Sequence, residues 1–200
     1  MIKRAIELAA KAHHNQFRKG TDTPYFAHPC NVGVILAQHG CPEEVVAAGI
    51  LHDTIEDTPL TIEDIRIQFG IEVAAIVEGC SEPDKSLSWE ERKQHTIDYL
   101  EKAPMEVKFV ACADKLDNIT SIALDYDELG EDFWQRFNAG KQEQSWYYHG
   151  LVESLNKGEF AKTDLFKNFE GKVDDVFKFC HHRILWTLST SQKPKSWAIA

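Results

Sequence analysis

Apolar residues recur along most of the chain at the three- and four-residue spacing of amphipathic helices, whereas the strict alternation typical of strands is scarce. This spacing first covers residues 2–14, after which Gly20 and Pro24 interrupt it. A second helix is predicted from Pro29 to about residue 39, and a third over residues 43–53. The pattern therefore predicts an all-α fold that begins with three helices.

Two capping signatures mark the starts of further helices. Thr61, followed three residues later by Asp64, predicts a short helix that stops at Gly70. Ser88 and Glu91 repeat the signature and predict a helix through about residue 101. In each pair the two side chains satisfy backbone N–H groups at the start of a helix, so the predicted boundaries have a physical basis.

The same periodicity predicts the remaining helices and the organisation of the chain. It favours helices at 71–78 and 106–124, and further amphipathic helices in the aromatic-rich remainder before a polar tail after residue 190. We divide the chain into a core, residues 1–125, and a C-terminal helical extension, residues 126–200, packed on the same domain. We expect the extension either to cover a pocket of the core or to form a homodimer interface.

The composition is that of an ordinary globular protein of 200 residues, with 43% hydrophobic and 27% charged residues. No run approaches the roughly 18 apolar residues that span a bilayer, and the N-terminal segment carries too many charges for a secretory signal. Five scattered cysteines without a C-x-x-C pair indicate reduced thiols rather than disulfides or a thiolate zinc site. We therefore expect a cytoplasmic protein without a membrane partner.

The formal net charge of −10 argues against nucleic acid as a partner, because binding to a phosphate backbone needs a basic face. A small anionic ligand is still compatible with this charge if a local basic cluster or a bound cation holds it. The charge therefore favours a small-molecule partner.

The segment "ILHDTIEDTP" places four ionisable side chains next to an apolar run. On a helix, His52 would lie over Glu56 and Asp53 over Asp57, because residues four apart share a face. Three carboxylates this close repel one another, and burying one without compensation costs several kcal/mol. A bound cation would remove the repulsion, and the alternative is a solvated acidic helix end with an exposed histidine.

The segment "EVKFVACADKLDNI" interrupts the apolar stripe of a long predicted helix with Asp114 and Asn118. A carboxylate in such a position must be paired, hydrogen-bonded or ligated to a metal ion. Ligation is one explanation, and the alternatives are that Asp114 caps another helix or pairs with Lys115.

His28 lies in "YFAHP", where a loop enters a predicted helix. Alone it is typical of a packed histidine that bonds to the backbone. Together with His52, Asp53 and Asp114 it would supply two imidazoles and two carboxylates from three segments. Mixed nitrogen and oxygen ligands suit Mn²⁺, Fe²⁺ or Zn²⁺, and four protein ligands leave positions open for water and substrate. The set predicts a catalytic metal site.

Four segments of the chain, in this order and at these separations, resemble the HD-domain (p)ppGpp hydrolases of the Rel/SpoT type, including the small single-domain forms related to metazoan SpoT homologues. They are "HHNQFRKGTDTPYFAHP", "AAGILHDTIEDT", "IRIQFGIEVAAIVEG" and "ACADKLDNI", within residues 5–122. The resemblance implies a single all-α HD-domain bundle that binds one Mn²⁺. The implied metal ligands are His28, His52, Asp53 and Asp114.

The resemblance also implies roles for residues around the metal. Glu56 and Asp57 would assist the attack of water, and Asn118 would line the site. Arg18 would face guanine, with Lys19 near phosphate. A planar guanidinium can stack on a purine and an ammonium can meet phosphate, but the alternative for these two cations is a solvated basic turn.

Two further residues are weaker candidates for substrate contacts. Tyr25 would line the wall of the pocket, and the alternative is that it only packs beside Pro24. Ser121 would offer a hydroxyl to the sugar.

The expected activity is Mn²⁺-dependent hydrolysis of the 3′-pyrophosphate of (p)ppGpp to GDP or GTP and pyrophosphate. Two departures from the family pattern favour an HD-domain phosphohydrolase acting on another nucleoside mono- or triphosphate: the Thr-Lys pair after "FG" is missing, and Thr120 replaces an arginine. A third hypothesis is a nucleotide-binding module without catalysis.

Overall fold

We describe residues 1–82, 86–136 and 139–190 of a computed structural model, and only the backbone of residues 135–136 and 178–190. The regular elements in these ranges are all helical, which confirms the all-α prediction for the described residues. The ten α-helices are α1 Ile2–Ala12, α2 Ala27–Gln38, α3 Glu43–Leu51, α4 Thr54–Asp57, α5 Ile62–Phe69, α6 Ile71–Cys80, α7 Trp89–Lys102, α8 Met105–Leu129, α9 Lys141–Leu155 and α10 Asp164–Thr190. Short 3₁₀ helices cover Gly130–Arg136 and Phe160–Lys162.

Both capping signatures occur as complete capping boxes. The Thr61 hydroxyl accepts from the backbone N–H of Asp64, whose carboxylate accepts from the N–H of Thr61. Ser88 and Glu91 make the same pair of bonds at the start of α7. Gly70 ends α5 with φ of +93°, a conformation that side chains with a Cβ rarely adopt. Local side-chain chemistry thus fixes these helix ends.

Several helix boundaries differ from the prediction by a few residues. Helix α2 begins at Ala27, two residues before Pro29, because the missing N–H of proline costs nothing among the first unpaired donors of a helix. Helix α3 stops at Leu51, so a turn separates it from α4. Helix α8 continues past the proposed domain boundary at residue 125, and the division into core and extension stays a prediction.

Helix α3 is the centre of the core. Its residues from Val45 to Leu51 are all buried, and it packs against α1, α2, α6 and α8. The crossing with α2 is close: a Cβ added to Gly49 would lie 2.3 Å from a Leu36 methyl, and one added to Gly33 would lie 2.5 Å from Ile50. Only glycine fits at these two positions without displacing a neighbour. The crossing therefore fixes α2 and α3 relative to each other.

The C-terminal helices pack on the core: α9 contacts α7, and α10 contacts α8 and α9. Tyr147 and Tyr148 of α9 are buried and line cavities of the core, so the extension contributes to pocket walls. The homodimer interface stays a prediction.

The polar tail after Thr190 and the side chains of His181 and His182, for which the sequence indicates no partner, lie outside the described residues. Among the described helices, none has the length and apolarity to cross a membrane.

Candidate metal centre and active site

Three side chains from three segments meet in the middle of the bundle. His28 is the second residue of α2, His52 follows the last residue of α3, and Asp114 lies midway along α8. One ligand atom from each lies within 4.8 Å of the other two, and all three residues are buried. His28 Nε2 is 3.2 Å from Asp114 Oδ1, and His52 Nε2 is 3.9 Å from the same oxygen. Two nitrogen atoms and one oxygen atom could therefore bind one ion.

Asp53 is a fourth donor beside this cluster. Its Oδ2 atom lies 3.1 Å from His52 Nε2 and 3.7 Å from His28 Nε2, and it accepts a 2.6 Å hydrogen bond from the Tyr25 hydroxyl. The sequence predicted that helix α3 continues to about Asp53, but His52 and Asp53 form the turn between α3 and α4. Both keep helical dihedral angles, and the backbone N–H of Asp57 donates to the carbonyl of Asp53 at 3.0 Å as in a continuous helix.

Hydrogen bonds to the outer nitrogen of each imidazole orient both histidines. His52 Nδ1 lies 2.8 Å from the carbonyl oxygen of Gly49, which can only accept, so Nδ1 carries the proton. His28 Nδ1 donates in the same way to Asp117 Oδ2 at 2.7 Å. In the neutral form of each ring Nε2 therefore carries a lone pair. The buried Nε2 of His52 has no hydrogen-bond partner among the described residues, although Asp53 Oδ2 lies 3.1 Å away. This inward pair of nitrogen lone pairs fits a metal ion.

The electrostatics of the cluster favour positive charge. Burial acts to raise the pKa of Asp114, but Lys115 and the two imidazoles hold it well below its usual value. Burial acts in the same direction on Asp53, and His52 brings its pKa below normal. The two carboxylates are thus ionised at neutral pH, and against the effect of burial they raise the pKa of His52 to about 9. A site that attracts a proton this strongly also attracts a cation.

Asp114 has further partners besides the imidazoles. Lys115 Nζ lies 2.7 Å from its Oδ2, and the Asn118 amide donates to its Oδ1 at 2.6 Å. The pairing with Lys115 that the sequence left open therefore occurs together with the approach to His28 and His52. These bonds hold the carboxylate in one orientation.

Asp117 was not identified from the sequence, although it lies three residues after Asp114 on α8. Its two oxygens accept from His28 Nδ1 and from Asn31 Nδ2, at 2.7 and 3.1 Å. A carboxylate behind a metal-binding imidazole fixes the ring and makes the other nitrogen a stronger ligand. The i, i+3 spacing on one helix was the only signal in the sequence.

Asp117→Asn should weaken Mn²⁺ binding by about 10- to 100-fold, the usual effect of altering such a supporting carboxylate. The amide can still accept from His28, but its charge is gone. Titration of the metal-free protein with Mn²⁺ measures the change. Asp127→Asn, on an exposed position of the same helix, is the control. Equal affinities of the two variants would contradict the role of Asp117.

Two cavities meet at the cluster. A cleft of about 970 Å³ is lined by His28, His52, Asp53 and Asp114 together with Glu56 and Asp57. A smaller pocket of about 410 Å³ contains Arg18, Lys19 and Ser121. Tyr25, His28 and Asn118 line both. The structure thus brings every candidate residue to one of two adjoining cavities.

The candidate catalytic and substrate-binding residues are held by specific bonds. Glu56 Oε1 accepts from the backbone N–H of Glu82 at 2.7 Å. The Arg18 guanidinium donates to Asn118 Oδ1 and to Ser121 Oγ, both at 3.2 Å. These bonds use the edge of the guanidinium, so stacking on its planar face is compatible with them. Arg18, Asn118 and Asp114 form a continuous hydrogen-bonded path from the small pocket to the metal cluster.

The sequence model of the HD domain family matches residues 5–142. The chain belongs to the HD domain family. Its HD-domain relatives include guanosine-3′,5′-bis(diphosphate) 3′-pyrophosphohydrolase MESH1 of Drosophila melanogaster, which is 37% identical over 86% of this chain and 90% of that protein. MESH1 of Xenopus tropicalis is 38% identical over 88% of this chain and 93% of that protein. The similarity to these HD-domain proteins thus extends over most of the C-terminal extension.

Two solved structures are similar to this chain in fold and sequence. The crystal structure of lmo0812 from Listeria monocytogenes EGD-e has a TM-score of 0.71 and 42% identity, over 76% of this chain and 99% of that one. A metazoan ortholog of SpoT that hydrolyses ppGpp and plays a role in starvation responses has a TM-score of 0.68 and 29% identity. That match covers 88% of this chain and 93% of the ortholog. The fold is therefore shared with both proteins over most of their length.

Proposed function

We infer that this protein is a metal-dependent hydrolase that removes pyrophosphate from the ribose 3′ position of ppGpp or pppGpp. The observation that carries the inference is the cluster of two imidazoles and two carboxylates beside Glu56, in a chain that matches MESH1 proteins over about nine tenths of their length. We further propose Mn²⁺ as the ion and the cytoplasm as the location.

The proposed ligands are His28 and His52, through Nε2, and the carboxylates of Asp53 and Asp114. When bound, a divalent ion would polarise a phosphoryl oxygen and lower the pKa of water. Asp117 and the Gly49 carbonyl keep the two rings oriented, since they hold the Nδ1 protons. The charge of the two carboxylates would be balanced by the ion, which lets a polyanionic substrate approach an acidic cleft.

Glu56 is the proposed general base. Its side chain lines the cleft, and the N–H of Glu82 fixes one of its two oxygens. A water molecule attacks the phosphorus attached to the 3′ oxygen, and Glu56 accepts a proton from it. The bond from this phosphorus to the 3′ oxygen breaks, the 3′ oxygen gains a proton, and GDP or GTP and pyrophosphate leave. Asp57, which also lines the cleft, is proposed to orient the water.

The smaller pocket is the proposed nucleoside site. Arg18 would stack on guanine, while Lys19 would meet a phosphate and Ser121 the sugar. Tyr25 and Asn118 lie on the wall shared by the two cavities, so they would contact the substrate between its base and its scissile phosphate. In this proposal the base and the reacting phosphorus would lie in adjoining cavities.

A second candidate function is hydrolysis of another nucleotide. Thr120, which replaces the arginine of the family pattern, donates its hydroxyl to the Leu116 carbonyl on its own helix at 2.7 Å. It lines neither cavity, so a basic contact implied by the family is missing from the pocket wall. This favours a substrate with less phosphate to bind.

A panel of nucleotides tests the proposal. Protein loaded with Mn²⁺ should release pyrophosphate from ppGpp, and metal analysis of protein purified without chelators identifies the native ion. Orthophosphate from a nucleoside mono- or triphosphate, without turnover of ppGpp, would establish the second candidate instead. Tight binding of ppGpp without any turnover would indicate a binding module and contradict both.

A further inference from the structure

Glu82 lies between two cations in the wall of the large cleft. Its Oε1 atom is 2.6 Å from Lys93 Nζ, and its Oε2 atom is in hydrogen-bond contact with the Arg92 guanidinium. The three side chains are between 16% and 25% exposed, so they are screened by water less than an ordinary surface pair. They form an ion trio that faces the same cleft as the metal cluster.

The trio is connected directly to the proposed general base. The backbone N–H of Glu82 donates to Glu56 Oε1 at 2.7 Å, while the side chain of Glu82 holds Arg92 and Lys93. One residue therefore bonds both to the site of chemistry and to the two cations. An anionic group bound by these cations would lie next to the reacting phosphate.

Two polar atoms beside the trio are unsatisfied. Arg92 Nε is buried without a hydrogen-bond partner among the described residues, and so is the hydroxyl of Tyr147, whose residue is only 4% exposed. Both residues line the cleft, and Lys93 Nζ lies 5.2 Å from the centre of the Tyr147 ring. Buried donors without partners are costly, so their presence in a cleft indicates a ligand with acceptor oxygens.

The balance of charge also indicates an anionic ligand. One carboxylate opposes two cations in the trio, which leaves one positive charge locally. The cleft is otherwise rich in carboxylates, including Glu56, Asp57 and Glu78. A phosphate group is attracted to Arg92 and Lys93 and repelled by the carboxylates elsewhere in the cleft.

We propose that Arg92 and Lys93, with the Tyr147 hydroxyl, form a phosphate subsite for a substrate phosphate other than the one attacked. The Glu82 carboxylate occupies this subsite as an internal counter-ion, and the substrate phosphate displaces it from the two cations when the nucleotide binds. The subsite rests on the proposed function for the identity of its ligand. A ppGpp molecule has three phosphates other than the one attacked, and the two terminal ones, at the ends of its 5′-diphosphate and its 3′-diphosphate, are the candidates for this subsite.

Variants of the trio test the subsite because they should act in opposite directions. Arg92→Gln and Lys93→Gln should each raise KM for ppGpp about tenfold or more, with kcat changed much less, since they remove a charged hydrogen bond to the substrate. Glu82→Gln should lower KM, because it removes the competing carboxylate while its backbone still bonds to Glu56. If the trio were purely structural, all three variants would lose thermal stability and change KM in the same direction. That result would overturn the proposed subsite.

A matched control lies on α5. Arg66 pairs with Glu63 at 2.8 Å in an Arg–Glu contact of the same kind, but both residues are exposed and outside the cleft. Arg66→Gln should leave KM unchanged. Equal effects of Arg66→Gln and Arg92→Gln would also overturn the subsite.

Two further measurements locate the phosphate and separate this proposal from the proposed function. If Arg92→Gln raises KM for ppGpp but not for the analogue with a 5′-monophosphate, the subsite holds the 5′ end; equal increases place it at the 3′ end.

Calorimetric titration of inorganic pyrophosphate into the Mn²⁺-loaded protein needs no turnover. Weaker binding by Arg92→Gln and Lys93→Gln supports the subsite even if ppGpp is not hydrolysed, whereas unchanged binding and unchanged KM in an active enzyme overturn the subsite alone.

Discussion

Replacing Asp114 with alanine is expected to cost the protein both its bound metal ion and its turnover. Asp114 Oδ1 lies beside the Nε2 atoms of His28 and His52. The other α8 carboxylate near the cluster, Asp117, lies on the far side of the His28 ring and bonds to its Nδ1 atom, so it cannot take the place of Asp114. Metal chemistry supplies several kcal/mol of transition-state stabilisation, so the rate of hydrolysis should fall by about 10³-fold or more. Metal content and the rate of pyrophosphate release measure the two losses.

Thermal unfolding gives an independent measurement of the same variant. Mn²⁺ at a concentration 100 times its Kd should stabilise the wild-type protein by about 2.7 kcal/mol, because only the folded state brings the four proposed ligands together. The Tm of Asp114→Ala should not respond to Mn²⁺, whereas that of Asp127→Ala, from an exposed position of α8, should rise as in the wild type. Bound metal and turnover that both persist in Asp114→Ala would refute the proposed site.

Glu56→Gln is expected to separate chemistry from metal binding. The amide has the size of the carboxylate and can still accept from the N–H of Glu82, but it cannot take a proton from water. Turnover should fall by about 10²- to 10⁴-fold, the range for loss of a general base, while the Kd for Mn²⁺ stays within a few-fold. Steady-state kinetics and metal titration on the same preparation measure both quantities.

The control for Glu56→Gln is Glu63→Gln, which alters an exposed glutamate of α5 outside the cleft. It should leave turnover unchanged. A Glu56→Gln enzyme with wild-type turnover would exclude Glu56 as the base, and loss of metal from that variant would mean that Glu56 is a ligand instead.

The sequence was sufficient to predict the all-α fold and to identify His52, Asp53 and Asp114 as candidate metal ligands. Each of these residues violates a local pattern, since a charged or polar group stands where helical periodicity calls for an apolar one. His28 does not violate a pattern, and it was found only because it completes a ligand set. The roles of all four are proposals that the variants above can test.

The residues that sequence reasoning missed are each accounted for by their local sequence context, so nothing in the sequence pointed to their tertiary partners. Arg92 and Lys93 follow the capping box of α7 and there resemble ordinary solvated helix charges. Asp117 contacts His28 across 89 residues of sequence, a separation that no helical periodicity encodes. Tyr147 belongs to an aromatic-rich helix that the sequence explains as packing. Only tertiary packing, of α7 against α9 and of α2 against α8, brings these side chains to the cavities.

The close crossing of α2 and α3 has a consequence for how an ion would be captured. Gly33 and Gly49 let the two helices touch, and the carbonyl of Gly49 also fixes the ring of His52. Because folding itself sets this contact, the two imidazoles are already positioned side by side before an ion binds. Binding of an ion then does not need to order them. A methyl group at Gly49 would lie 2.3 Å from the Leu36 side chain and displace it, which would disturb the helix contact that holds the two imidazoles in place.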